Sequence, residues 1–188
     1  QVKGQGLVML PTRELAIQVE EALAQIGKAI NLRVAVLIGG IDIKAQTRAL
    51  ARKPHIVVAT PGRLNDHIER KTITLQRVRV VVLDEADRML DMGFAPQIRK
   101  IFTAIPQDRQ TLLFSATMPQ GIMKIATTYM KLPIRVEVAP PGTTVERVTQ
   151  EVFIIEKGSK ERLVEKLLSQ HAKTTLIFTR TKYGAKRL

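Results

Sequence analysis

Apolar positions along the chain alternate between two rhythms. Leu7–Leu10 is a short unbroken apolar run stopped by Pro11; Leu15, Val19, Leu23, Ile26 and Ile30 then recur every three or four residues, as on one face of a helix. The exchange repeats. The β-branched run Val34–Ile38 is closed by Gly39 and Gly40, a helical stretch covers 44–51, and strand-like Ile56–Ala59 is broken by Thr60-Pro61-Gly62 ahead of a helical stretch over 64–68. Val78–Leu83 is the strongest strand signal, apolar at nearly every position, as in a parallel strand buried on both faces. A helix over 96–105, a strand at Thr111–Phe114, a helix over 120–130 and a strand at Ile134–Val138 continue the beat. Strands alternating with helices at this interval predict an α/β fold, a parallel sheet flanked by helices.

The beat pauses at Ala139-Pro140-Pro141-Gly142-Thr143-Thr144, which is turn-forming and free of apolar periodicity. It predicts a linker over 139–147 between a first domain, 1–138, and a second, 148–188. The second carries a predicted strand at Glu151–Ile155, a helix over 160–168 with Leu163, Val164, Leu167 and Leu168 on one face, and a strand at Thr175–Phe178. Roughly 40 residues are too few to close an α/β domain, so this lobe is expected to be cut short. A chain that opens on Gln1 rather than Met is expected to be part of a longer protein.

Charge narrows the partners. Thirty Lys and Arg against 17 Asp and Glu give +13, with an excess of +4 over 1–60, +4 over 61–140 and +5 over 141–188. An excess spread along a fold favours a polyanion, because cations that neutralise phosphates release condensed counterions. Aromatic content is 4% with no Trp, which argues against a stacking platform for bases. The absence of Cys excludes disulfides and thiolate metal sites and fits a cytoplasmic location. No apolar run reaches the ~18 residues of a membrane span, so no membrane partner is expected. His55, His67 and His171 have no metal-ligand spacing.

The polar clusters sit where the predicted strands end. In an open parallel sheet, ligands bind outside the carboxyl ends of the strands. Val80–Leu83 runs straight into Asp84-Glu85-Ala86-Asp87. Two adjacent carboxylates on the exposed end of a buried strand suit a nucleoside-triphosphatase: Asp84 to hold Mg²⁺, directly or through water, and Glu85 to orient or deprotonate the attacking water. The same string also reads as a solvated acidic helix start, where carboxylates suit the dipole. Ser115 and Thr117 follow the next strand and are placed to hydrogen-bond Asp87, although Ser-x-Thr is also an everyday cap. Pro11-Thr12-Arg13-Glu14 opens a helix with Thr12 as its cap, Gly39-Gly40 brings amides close to a ligand, and Thr60-Pro61-Gly62-Arg63 combines a hydroxyl, a turn and a guanidinium. Together they form a track for a phosphate backbone. Met89, Met92 and Phe94 read as core or lid packing.

Taken in order, Pro11–Ala16, Gly39-Gly40, Thr60–Arg63, Asp84–Asp87, Ser115–Thr117 and Leu176–Thr181 resemble the successive motifs of the DEAD-box ATP-dependent RNA helicases of superfamily 2, and Arg88–Phe94 is similar to the family's usual extension. The likeness covers essentially the whole chain and is nearest to the bacterial subgroup. It implies two RecA-like lobes with ATP and Mg²⁺ in the cleft between them and RNA across both. It assigns Asp84 and Glu85 to ATP hydrolysis, with Asp84 on Mg²⁺ through water. Asp87, Ser115 and Thr117 couple hydrolysis to the clamp. Pro11, Thr12, Arg13, Glu14, Gly39, Gly40, Thr60, Pro61, Gly62, Arg63, Thr179 and Arg180 meet the RNA backbone without reading bases. Protein partners in ribosome assembly or RNA decay fit such a role.

The chain departs from the family in carrying no Gly-x-x-x-x-Gly-Lys-Ser/Thr string; its one Gly-Lys pair, Gly27-Lys28, lies in a helical pattern. That loop cradles the β- and γ-phosphates. The second lobe's arginine-rich motifs are missing too. The isolated chain is therefore expected not to hydrolyse ATP, and the longer parent is the expected enzyme. The alternative is a non-catalytic RNA-binding or assembly module on the same fold. A DNA translocase of the wider superfamily is disfavoured by the complete Asp-Glu-Ala-Asp string. The resemblance also predicts that Thr111–Phe114 has an unpaired apolar edge.

Overall fold

A computed structural model describes residues 5–137, 149, 151–156, 158–170 and 174–188. The chain divides into two compact units, Gln1–Pro141 and Gly142–Leu188. The predicted linker over 139–147, the end of the predicted strand at Val138, and His171 lie outside the described residues.

In the first unit five strands, β1 (Gln5–Met9), β2 (Val34–Leu37), β3 (Ile56–Ala59), β4 (Val78–Leu83) and β5 (Gln110–Leu113), form one parallel sheet in the order β2-β3-β1-β4-β5. The connecting helices are α1 (Arg13–Gly27), α2 (Ile43–Ala51), α3 (Pro61–Glu69), α4 (Ala86–Asp91), α5 (Ala95–Ala104) and α6 (Gln120–Tyr129). Residues alternate between the two faces of each strand. From β1 and β3, Leu7, Met9, Val57 and Ala59 enter the larger core with Leu64, Met89, Ile98, Ile101 and Ile122 from the helices. Val8 and Val58 join the smaller core beneath Leu15, Ala16, Val19 and Leu23 of α1. The second face is covered over β1, β2 and β3, but β4 is not buried on both faces as its sequence predicts: Arg79 and Val80 are exposed and Val82 is half-buried, because the α1 core does not extend over it.

The predicted helical stripe of α1 holds only in part. Leu15, Val19 and Leu23 pack against the sheet, whereas Ile26 and Ile30 are exposed. The helix ends at Gly27, where Leu32 folds back and donates its N–H to the Gly27 carbonyl at 3.0 Å. A β-carbon on Gly27 would meet Leu32 Cδ2 at 2.7 Å, so only glycine permits that return.

Arg109 staples β5 to the helices beneath it. It donates to the carbonyls of Pro106 at 2.6 Å and Tyr129 at 2.9 Å and to Thr111 Oγ1 at 3.2 Å. Its guanidinium lies 5.0 Å from the Phe102 ring centre, and Phe102 stacks on Tyr129 at 4.3 Å.

Three predicted strands are not strands. Ile134–Glu137, Glu151–Ile155 and Thr175–Phe178 are irregular, and their apolar side chains are largely exposed, Ile134 by 89%. Each has the β-rich composition of a strand, but none meets a partner ladder among the described residues. A lone strand leaves its backbone donors and acceptors to water.

As the sequence predicts, β5 lies at the sheet edge, with β4 as its one neighbour among the described residues. An exposed edge ending in Phe114 is a template for pairing with another copy. The isolated chain is expected to self-associate on light-scattering chromatography, increasingly with concentration. A sharp monomeric peak with cooperative unfolding is the contrary result.

The second unit contains α7 (Lys160–Gln170) and α8 (Lys182–Arg187), tied by a 2.8 Å ion pair between Arg187 and Glu161. Among the described residues no helix is long and apolar enough to cross a membrane.

Candidate functional site

The register places the strand ends in one level row. Leu37 pairs with Ala59, Ala59 with Met9, Met9 with Leu83, and Leu83 with Leu113. Because every strand is parallel, the five loops that follow emerge along one rim. From one side to the other they are Gly39-Gly40, Thr60–Arg63, Pro11–Glu14, Asp84–Asp87 and Ser115–Thr117. The rim thus divides into glycine- and arginine-bearing loops on one half and carboxylates and hydroxyls on the other.

On the first half, an open groove of about 530 Å³ is lined by Pro11, Thr12, Arg13, Glu14, Gly39, Thr60, Gly62 and Arg63, together with Asp66, Met92 and Phe94. Thr12 caps α1, accepting from the Leu15 N–H at 3.3 Å, and Pro61 occupies the first turn of α3. The two arginines differ. Arg13 is exposed and donates weakly to the Gly39 carbonyl at 3.4 Å. The Arg63 side chain is only 15% exposed, gives a 2.8 Å hydrogen bond to the Ile41 carbonyl and lies 3.5 Å from Asp66. Arg63 clasps the glycine loop and has less freedom than a surface cation.

Gly40 has φ +80°, and a β-carbon there would collide with the Arg13 guanidinium. Gly40→Ala is expected to cost about 1–2 kcal/mol from the left-handed backbone alone, read as a lower midpoint in thermal melts, and to push Arg13 away from the rim.

On the second half, Asp84 follows β4 directly, donates its N–H to the Met9 carbonyl at 3.0 Å and accepts from the Glu85 N–H at 2.9 Å. Glu85 stands in the left-handed region, φ 49°, ψ 50°, and pairs with Arg88 at 3.0 Å. A non-glycine residue in that conformation is strained, and such strain gathers at functional positions. Asp87 is clasped by the next loop: its carboxylate accepts from the Thr117 N–H at 2.9 Å and hydroxyl at 2.8 Å, and its own N–H donates to Ser115 Oγ at 3.1 Å. Ser115 in turn donates to the Thr117 carbonyl at 2.7 Å. Partial burial alone would raise the Asp87 pKa; hydrogen bonds from the Thr117 hydroxyl and N–H and from the Arg88 N–H, with the Ser115 hydroxyl close by, outweigh it and hold the carboxyl below its ordinary 3.8. The clasp is therefore at full strength above about pH 3.8 and loosens as pH falls through the depressed value.

Thr179 and Arg180 belong to the second unit, where Thr179 Oγ1 donates to the Thr181 carbonyl at 3.0 Å and Thr181 caps α8. Met89 is buried in the core, whereas Met92 and Phe94 form a groove wall; both lie in the string that follows the acidic cluster. Among the described residues no group of three or more His, Cys, Asp or Glu is placed to hold a metal ion.

The DEAD/DEAH box helicase profile matches residues 1–125. The chain belongs to that family. It is 48% identical over 179 residues to the DEAD-box ATP-dependent RNA helicase CshA of Bacillus cereus (strain ATCC 10987 / NRS 248), a match covering 95% of this chain and 34% of the relative. Among solved structures, a DEAD box protein from the hyperthermophile Methanococcus jannaschii superposes with a TM-score of 0.64 at 45% identity, over 68% of this chain and 35% of that one. A hypothetical ATP-dependent RNA helicase from Sulfolobus tokodaii gives 0.66 at 39% identity, over 70% and 39%. The chain spans about a third of the length of its curated CshA relatives. The five-stranded parallel sheet is the RecA-like core of this DEAD-box family.

Proposed function

We propose that this chain belongs to an ATP-dependent RNA-remodelling enzyme, its first unit serving as the RNA-gripping and hydrolytic half of a helicase core. The observation that carries this reading is the level row of strand ends, which sets phosphate-compatible loops and a carboxylate pair side by side on one rim. Family membership and relatives described as ATP-dependent RNA helicases support it.

The division of labour follows the rim. Pro11–Glu14, Gly39-Gly40 and Thr60–Arg63 hold the sugar-phosphate backbone of RNA, so binding is largely independent of sequence and strongly dependent on salt. Thr179 and Arg180, in the second unit, are assigned to the RNA backbone as well. Glu85 orients and deprotonates the water that attacks the terminal phosphate of ATP. Asp84 is the residue to hold Mg²⁺. A donor set of one or two carboxylates suits this ion, which keeps most of its water and takes further oxygens from phosphate. When bound, the ion neutralises charge developing on the phosphates. Asp87, Ser115 and Thr117 link the carboxylate loop to the loop after β5, so that a shift at one is felt at the other. The proposed setting is the cytoplasm, with partners of ribosome assembly or RNA decay.

The test is ATP turnover by the full-length protein, with and without single-stranded RNA. Turnover stimulated by RNA is the expected result. RNA binding without turnover assigns the fold to a non-catalytic module, and neither binding nor turnover overturns the reading.

A further inference from the structure

Among the described residues of the first unit four polar ones are buried: Gln46, Thr60, Asn65 and His67. Two of them form a chain that no phosphate contact explains. His67, on α3, is 0% exposed. Its Nδ1 lies 2.7 Å from Thr72 Oγ1 and its Nε2 lies 3.1 Å from Gln46 Oε1; Gln46 Nε2, on α2, donates at 2.8 Å to the carbonyl of Ile38. Ile38 immediately precedes Gly39-Gly40.

The Ile38 carbonyl fixes the amide end of this relay. The Ile38 carbonyl accepts, so the Gln46 amide nitrogen must face it and the Gln46 oxygen must face His67. That oxygen requires a proton on Nε2. In the neutral ring Nδ1 is then the acceptor and takes the Thr72 hydroxyl, which also lies 3.1 Å from the His67 carbonyl, itself receiving the Thr72 N–H at 3.0 Å. Reversing the amide would set two acceptors together at Ile38. Burial first, then the charges of Arg63 and Arg70, lower the pKa of His67 against a smaller opposing effect of Asp66, keeping the ring neutral near pH 7.

Two neighbouring carbonyls of the same loop are also engaged, Gly39 by Arg13 from α1 and Ile41 by Arg63 from α3. Carbonyls turned toward a phosphate repel it; here three are drawn to donors on three different helices. We propose that Gln46 and His67 are positioning residues of the RNA edge, the imidazole orienting the Gln46 amide and the amide holding the Ile38 carbonyl so that the Gly39-Gly40 loop keeps its phosphate-accepting shape. This rests on the RNA-binding reading above. Neither residue touches RNA.

The test pairs affinity with salt dependence, using the full chain and a fluorescein-labelled oligouridylate. Gln46→Leu is expected to weaken binding about tenfold, equivalent to 1.4 kcal/mol, with the slope of log affinity against log salt unchanged, because no phosphate contact is lost. Gln46→Glu keeps the bond to His67 but turns an acceptor on Ile38, and is expected to bind at least as weakly. Arg13→Ala removes a direct contact and is expected to flatten the slope by about 0.7. If Arg13→Ala weakens binding and Gln46→Leu binds like the parent, the positioning role is wrong. If Arg13→Ala changes neither affinity nor slope, the RNA-binding reading itself falls. A measurement on the unaltered chain keeps the relay testable should the variants fail to fold. Nitrogen-15 NMR of His67 near pH 7 is expected to show a protonated Nε2 and a bare Nδ1, and the opposite tautomer overturns the proposal.

Discussion

Glu85→Gln is expected to lower RNA-stimulated ATP turnover of the full-length protein by about 10²–10⁴-fold, the usual weight of a general base, while RNA binding stays near the parent value. Gln has the same shape and can still accept the hydrogen bond from Arg88, but it has no basicity. Residue 85 is not among the residues that line the groove, so RNA affinity and turnover should separate in this one variant. Phosphate release and fluorescence anisotropy, read on the same preparation, check it. Undiminished turnover in the Gln variant would remove Glu85 from the mechanism.

Arg109→Ala is expected to destabilise the first unit by about 2–4 kcal/mol, since hydrogen bonds from a charged donor contribute about 1.5–3 kcal/mol each and do not add. The loss strands the carbonyls of Pro106 and Tyr129 and removes the cation beside Phe102. Arg109→Lys is expected to recover little of this, because an ammonium is a point charge and cannot reach three acceptors in the planar fork of a guanidinium. Urea denaturation gives the readout. A midpoint within error of the parent for Arg109→Ala would mean that the contacts carry no net stability.

The five-stranded sheet was legible because parallel strands need apolar residues on both faces, and Val34–Leu37, Ile56–Ala59 and Val78–Leu83 show that without help from context. The same logic misled at 134–137, 151–155 and 175–178, where composition favours a strand but the ladder that must receive it is absent among the described residues. The short helix α4 was legible only through the alternative reading of the acidic string as a helix start, since its six residues hold two Asp and no apolar stripe of their own. At the rim, residue types and spacing located the loops, since strand ends are where a parallel sheet exposes side chains. They could not separate Arg13 from Arg63. One points to solvent and the other is buried against a carbonyl 22 residues away, a distinction made only by how α3 packs beside the loop after β2. His67 is a similar case. A lone histidine without metal spacing looks idle until folding brings α2 within hydrogen-bonding reach.

The backbone at Glu85 carries a consequence for anyone seeking a hardier version of this protein. Residue 85 sits where glycine or asparagine rests easily and a longer side chain does not. A screen for heat resistance would drift toward those two at this position and select sturdier molecules lacking the carboxylate proposed to activate water. On that proposal, endurance and turnover are opposed at a single α-carbon.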